Sequence, residues 1–253
     1  MSTEAHAKQL QNLYDMIKYI IMLKIYLLNT DELKNINWNE TMLSERRRSS
    51  LERTKLKAAR ELSLCAELAL IYAVREYAAG AGIPFVLPLD ITEEAGGKPC
   101  FAASSPFAGK LHFSLSHSGS FAAAAISDSP VGVDIEYIRK EPVHHPEKIL
   151  HPDEYKIYSK ITDLSARNIY FYKCWVSKES FLKEAGLGIR VRPSEFMISE
   201  DEFRTSPGFG SAQPGLTDKK VHIFSVEEHL PQGYCAAVCS KYGYEGCLKE
   251  IYL

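Results

Sequence analysis

The sequence predicts an α+β protein of two similar, pseudo-twofold-related lobes, each a long helix packed on a mostly antiparallel sheet. Three observations predict it. One long helical pattern occurs in each half, over residues 55–79 and 165–185. Each pattern is followed by short apolar runs separated by turns, not by the alternating strand–helix series of a parallel sheet. A turn signal, Asp128-Ser129-Pro130, falls near the middle of the 253 residues, a length that fits one large domain or two small ones. The expected division is residues 1–128 and 129–253, with 1–20 as an extension and the active site between the lobes.

The elements follow in order. Residues 1–18 read as a short helical preamble, and Met22 offers an alternative start to Met1. Met22–Leu28, rich in Ile, Leu and Tyr, reads as a first strand. In residues 55–79, Leu56, Ala59, Leu62, Ala66, Ala69, Leu70 and Ala73 recur at spacings of three and four, and Gly80 and Gly82 close the helix. Residues 83–103 read as loop, with Gly96-Gly97 and three prolines. Leu111–Ser116, Phe121–Ser127 and Val131–Ile138 read as strands of a hairpin-rich sheet. Pro152 opens a helix to about Lys160, and Ser165–Ala185 ends at Gly186 and Gly188. Strands are expected at Glu195–Ser199, Val221–Val226 and Tyr234–Ser240, with a Gly/Pro/Ser-rich loop at 205–219 to which no function attaches.

Composition excludes several classes. With 45% hydrophobic and 25% charged residues the chain is neither fibrous nor low-complexity. A net charge of −2 gives no global attraction for nucleic acid or anionic membrane, so neither is expected as a partner. A polyanion would need a local basic cluster, and one exists: Arg46, Arg47, Arg48, Arg53, Lys55, Lys57 and Arg60 against the single Glu52. The six cysteines carry no metal-binding or redox spacing and read as free thiols. The longest apolar run, Tyr19–Leu28, is interrupted by Lys24 and is too short to span a bilayer. Glu4 and Asp15 spoil a signal peptide, so a cytoplasmic protein is expected.

Four segments carry chemistry. In Val131-Gly-Val-Asp-Ile-Glu136, strand alternation puts Asp134 and Glu136 on one face, with Val133 and Ile135 on the other. Two adjacent carboxylates are either solvated at an edge or share a cation. In Trp175-Val-Ser-Lys-Glu-Ser-Phe-Leu-Lys183, Trp175, Glu179 and Lys183 share one helical stripe. Glu179 and Lys183 are either a surface ion pair or a third carboxylate beside an ammonium, suited to Mg²⁺ and phosphate. Phe113-Ser-Leu-Ser-His-Ser118, followed by Gly119, supplies hydroxyls, an imidazole and backbone N–H groups, with phosphate as one natural guest or His117 as a structural residue. It lacks a nucleophile elbow, which argues against a serine hydrolase. Gly96-Gly97-Lys98-Pro99 is a loop without Walker spacing.

The order and intervals of these motifs resemble the 4′-phosphopantetheinyl transferase superfamily, of the two-lobed, surfactin-synthetase-activating (Sfp) type, over roughly residues 22–240. The resemblance implies transfer of the phosphopantetheine arm of coenzyme A to a serine of an apo acyl, polyketide or peptidyl carrier protein, with release of 3′,5′-ADP. It implies Asp134, Glu136 and Glu179 as ligands of Mg²⁺, or Mn²⁺ in its place. Glu179 would be the base toward the incoming serine, and Lys183 would balance pyrophosphate charge. Ser116 and His117 match a phosphate-contacting pair, Lys98 and Pro99 a loop along the adenine and phosphate region, and Arg60 an arginine that meets the 3′-phosphate. Two departures stand out: Ser114 where Asn is common, and Arg139 where many members carry lysine. The two-lobed length implies a monomer, since shorter relatives build the site between subunits. The competing readings are a catalytically silent binder of coenzyme A or carrier, and a Mg²⁺-dependent phosphohydrolase.

Overall fold

The computed structural model describes residues 23–94, 96–198, 203–205, 220–224, 230–241 and 248–250, with backbone only at 189, 203–205, 220–224 and 248–250. The preamble, Met22, most of loop 205–219 and the end of the strand expected at Val221–Val226 lie outside the described residues.

The fold is α+β. One sheet has the order β11-β1-β5-β4, formed by Leu248–Glu250 (β11), Leu23–Asn29 (β1), Phe121–Ser127 (β5) and His112–Ser118 (β4). A second has the order β6-β10-β9, formed by Val131–Tyr137, Tyr234–Ser240 and Lys220–Phe224. Two small pairs complete it: β2 (Ile91–Glu93) with β3 (Pro99–Phe101), and β7 (Phe196–Ile198) with β8 (Phe203–Thr205). The helices are α1 (Glu45–Arg53), α2 (Lys57–Ala81), α3 (Pro152–Tyr158) and α4 (Leu164–Ala185).

Alternation along the strands explains the layering. Tyr26 and Leu28 of β1, with Ala122, Ala124 and Ile126 of β5, bury against α2 through Cys65, Leu68, Ala69 and Ala73. Leu23, Ile25 and Leu27, with Ala123 and Ala125, face the opposite way. There they meet Val131, Val133 and Ile135 of β6 and Ala236 and Val238 of β10. The outer face of β10, including Cys235, Ala237 and Cys239, buries against Val176 and Phe181 of α4. The layers therefore run helix, sheet, sheet, helix. Both faces of β1 and β5 are covered, which is why these strands read as near-continuous apolar runs, with Lys24 the one interruption inside β1. Each buried Leu or Ile side chain contributes about 1.5–3 kcal/mol.

Local chemistry sets the boundaries. Gly82 and Gly186 cap α2 and α4 in the left-handed region, at φ 64° and 66°. Asp163 accepts the Ala166 N–H at the start of α4, and His151 with Glu154 forms a capping box on α3. Glu154 also pairs with the fully buried ammonium of Lys178, tying α3 to α4. Five of the cysteines, Cys65, Cys100, Cys174, Cys235 and Cys239, are free thiols.

Three expectations are corrected. The turn at 128–130 does not close a hairpin: β5 already pairs on both edges with β1 and β4, so the chain crosses to the second sheet and pairs β6 with β10. Residues 83–103 are not loop throughout, since β2 and β3 form a short hairpin, and the basic run at 45–53 is a helix. The last strand, β11, pairs parallel with β1, so a segment beyond residue 129 completes the first sheet. No helix among the described residues is long and apolar enough to cross a membrane.

Candidate active site

The site is built on the outer edge of β6. A sheet-edge strand presents unpaired N–H and C=O groups, which must find partners when buried. On β6 these partners are side chains. Ser114, Ser116 and Ser118 of β4 lie two residues apart, so their hydroxyls share one face. They accept the N–H groups of Val133, Ile135 and Tyr137 at 3.0, 3.2 and 3.1 Å. Lys98 and Lys183 donate to the carbonyls of Val131 and Val133 at 3.3 and 3.1 Å. The two sheets thus join along a row of side-chain hydrogen bonds instead of a backbone ladder.

The intervening residues of β6, Gly132, Asp134 and Glu136, lie on the face that α4 covers. Gly132 permits the contact: a Cβ there would lie 1.9 Å from the Ser180 carbonyl oxygen and 2.4 Å from the Glu184 nitrogen. Asp134 is 4% exposed. Its Oδ1 accepts from Lys183 Nζ and from Ser116 Oγ, each at 2.7 Å. Its buried Oδ2 has no hydrogen-bond partner among the described residues. Glu136 accepts from Ser118 Oγ at 2.6 Å and from the Trp175 indole N–H at 3.3 Å. The helical stripe of Trp175, Glu179 and Lys183 faces the same cavity of about 610 Å³ as Asp134 and Glu136. Lys183 turns to Asp134, so the surface-pair reading of Glu179 and Lys183 gives way to a cross-element contact.

The electrostatics follow from crowding. Burial raises the pKa of Glu179, and the charges of Asp134 and Glu136 raise it further, against a lowering by Lys183. Burial also raises that of Glu136, with Ser118 and Trp175 lowering it by hydrogen bonding and Asp134 raising it. Such a set of carboxylates, one with a buried oxygen unpartnered, fits a hard divalent cation. Among the described residues no three acidic, histidine or cysteine side chains close round a single point.

Cationic groups line the rest of the cavity. Ser116, His117, Lys98 and Pro99 are all on its wall. His117 remains exposed, yet the surrounding walls lower its pKa by desolvation, and Arg47 and Lys183 lower it further. Lys98 also donates to the Glu184 carbonyl at 2.8 Å, in the last turn of α4. The Gly96–Pro99 loop reaches that helix end because Gly96 has no side chain; a Cβ would lie 2.4 Å from the Gly186 carbonyl oxygen. Arg60 is not brought here: it is exposed on the first turn of α2 and does not line the cavity. Arg46 and Arg47 of α1 do. Arg47 is held by Glu67 at 3.4 Å and by Ser63, and Arg46 by Glu93 at 2.8 Å. Arg139 is likewise exposed and away from the cavity wall.

The chain is similar to known 4′-phosphopantetheinyl transferases. A family profile described as the 4′-phosphopantetheinyl transferase superfamily matches residues 130–239, the stretch holding β6, α4 and β10. The 4′-phosphopantetheinyl transferase Psf-1 of Bacillus pumilus is 28% identical over 214 residues, 82% of this chain and 83% of that protein. The transferase Sfp of Bacillus subtilis strain 168 is 28% identical over 57% of this chain and 59% of its own. HetI of Nostoc sp. is 34% identical over 60% of each. These similarities support a 4′-phosphopantetheinyl transferase of the Sfp type.

Three features of this cavity escape sequence reasoning. The roles of Trp175 and Ser118 on Glu136 need the tertiary pairing of β4 with β6 and of α4 with both. The contribution of Arg46 and Arg47 needs α1 folded over the cavity; the charge run marked the region but not the residues. The close approaches at Gly96 and Gly132 are signalled only by glycine standing next to a motif residue.

Proposed function

We propose that this enzyme transfers the 4′-phosphopantetheine arm of coenzyme A to a serine hydroxyl of an apo carrier protein of the acyl, polyketide or peptidyl type, in a Mg²⁺-dependent reaction that releases 3′,5′-ADP. The observation that carries the reading is the buried, unpartnered Oδ2 of Asp134 in a cavity shared with Glu136 and Glu179. Those three carboxylates would hold the ion, with Mn²⁺ as a substitute. When bound, the ion supplies positive charge for the pyrophosphate oxygens, on which negative charge builds during transfer.

The chain's own groups do the rest. Glu179 accepts the proton of the carrier serine as its oxygen bonds to phosphorus, since a serine hydroxyl is a weak nucleophile at its own pKa. Burial and the neighbouring carboxylates raise the pKa of Glu179, which makes it a stronger base than a solvated carboxylate. Lys183, bound to Asp134 and the Val133 carbonyl, holds an ammonium where the phosphorus–oxygen bond to the departing 3′,5′-ADP breaks. Ser116 and His117 contact phosphate, Lys98 and Pro99 flank the nucleotide, and Arg46 and Arg47 take the 3′-phosphate role first expected of Arg60. We place the site between two lobes of a monomeric, cytoplasmic enzyme.

The test is product analysis after incubation with coenzyme A, Mg²⁺ and an apo carrier. The carrier mass should rise by one phosphopantetheine arm, with an equivalent of 3′,5′-ADP. Released nucleotide with an unmodified carrier would instead assign a phosphohydrolase, and bound but unconsumed coenzyme A a silent binder.

A further inference from the structure

The serine row on β4 does more than join two sheets. Each of its hydroxyls faces one residue of β6 besides the N–H it accepts. For Ser116 that residue is Asp134 and for Ser118 it is Glu136, each one before the residue whose N–H the serine accepts; the same offset from Val133 brings Ser114 to Gly132. A serine hydroxyl has one proton and two lone pairs. Accepting the Tyr137 N–H at 3.1 Å leaves the Ser118 proton for Glu136 Oε2 at 2.6 Å. We infer that Ser118 is a positioning residue for Glu136, holding that carboxylate in its ligating place through a hydroxyl locked to the β6 backbone. The inference rests on the metal reading of the previous section.

Two comparisons within the site support it. Asp134 is nearly enclosed and is gripped by both Ser116 and Lys183, so its place is over-determined. Glu136 has a longer side chain, is only half-buried, and has besides Ser118 the longer Trp175 contact at 3.3 Å. Removing the Ser118 hydroxyl would therefore free the Glu136 rotamer, with Trp175 as its remaining hydrogen-bond donor. Ser114 is a built-in control. It satisfies a β6 N–H in the same way, but Gly132 carries no side chain for it to orient. Its loss should weaken the seam between the sheets without touching a carboxylate.

The experiment is Mn²⁺ titration, followed by electron paramagnetic resonance, of the wild type, Asp134→Ala, Ser118→Ala, Ser118→Thr and Ser114→Ala, with thermal unfolding of each. Groups that orient a metal ligand change affinity by about 10–100-fold when removed. Ser118→Ala should weaken Mn²⁺ binding by that factor, and Ser118→Thr, which keeps the hydroxyl, should restore it to within about threefold of wild type. Ser114→Ala should lower the unfolding temperature but leave Mn²⁺ affinity within about threefold. Equal affinity of Ser118→Ala and wild type overturns the inference, as does a loss in Ser114→Ala as large as in Ser118→Ala. If Ser118→Ala does not fold, tenfold weaker binding by a folded Ser118→Thr overturns it. Wild-type protein that binds no Mn²⁺, or binds it unchanged in Asp134→Ala, overturns the metal reading itself and this inference with it.

Discussion

His117 stands on the cavity wall with its ring exposed, and its pKa is lowered below 6.5 by desolvation, then by the charges of Arg47 and Lys183. A phosphate placed beside it would favour the imidazolium, so ligand binding should take up a proton and raise the pKa. By linkage, 3′,5′-ADP should bind more tightly as pH falls toward that value. Imidazole resonances followed by NMR should titrate below 6.5 without ligand and at higher pH with 3′,5′-ADP present. An unmoved titration would remove His117 from the phosphate site. Glu179 makes a second prediction at this scale. Glu179→Gln keeps the side-chain volume and removes the base, so kcat should fall by about 10²–10⁴-fold, the range of one general base, with coenzyme A still bound. Equilibrium dialysis and single-turnover assays separate the two effects; retained turnover would move the base elsewhere.

The element that organises the site is β6, whose outer edge is satisfied by serines of β4 and by Lys98 and Lys183. Its contact with α4 depends on Gly132. Gly132→Ala places a methyl carbon 1.9 Å from the Ser180 carbonyl, so α4 must move away. Overpacking of this kind costs typically about 1–3 kcal/mol, and here the obstacle is helix backbone that cannot rotate aside. Denaturant unfolding of Gly132→Ala should show a loss at or above the upper end of that range, and a stability equal to wild type would contradict the geometry. Strand alternation placed Asp134 and Glu136 on one face, and helical spacing placed Trp175, Glu179 and Lys183 in one stripe, because both patterns are local. Which strand lies along β6 is not local, so nothing in the Ser114–Ser118 pattern showed that its hydroxyls meet β6 N–H groups. The choice among seven basic residues failed for the same reason. Arg60 lies in the register of a long apolar helix, whereas Arg46 and Arg47 reach the cavity because a short polar helix folds over it. A nine-residue helix with few apolar positions leaves no periodic signal, and neither do three-residue strands such as β2 and β3.

At the scale of the molecule, two sheets pack face to face between two long helices, and the cavity opens where their edge strands β4 and β6 meet. The groups that line the cavity therefore come from both sheets and from α4, and two of its acids, Asp134 and Glu136, are held at a seam between sheets. The cavity has one wall of cations from α1 and the 96–99 loop, and one of carboxylates from β6 and α4. Carboxylates so crowded repel one another unless a cation joins them. The decisive measurement is carrier modification followed by mass spectrometry after the protein has been stripped with a chelator. Stripped enzyme with coenzyme A and apo carrier should leave the carrier unmodified, and added Mg²⁺ should restore the full mass gain in the wild type but not in Asp134→Ala. Full modification by the stripped enzyme, or by Asp134→Ala, would contradict a carboxylate-held ion as the centre of the reaction.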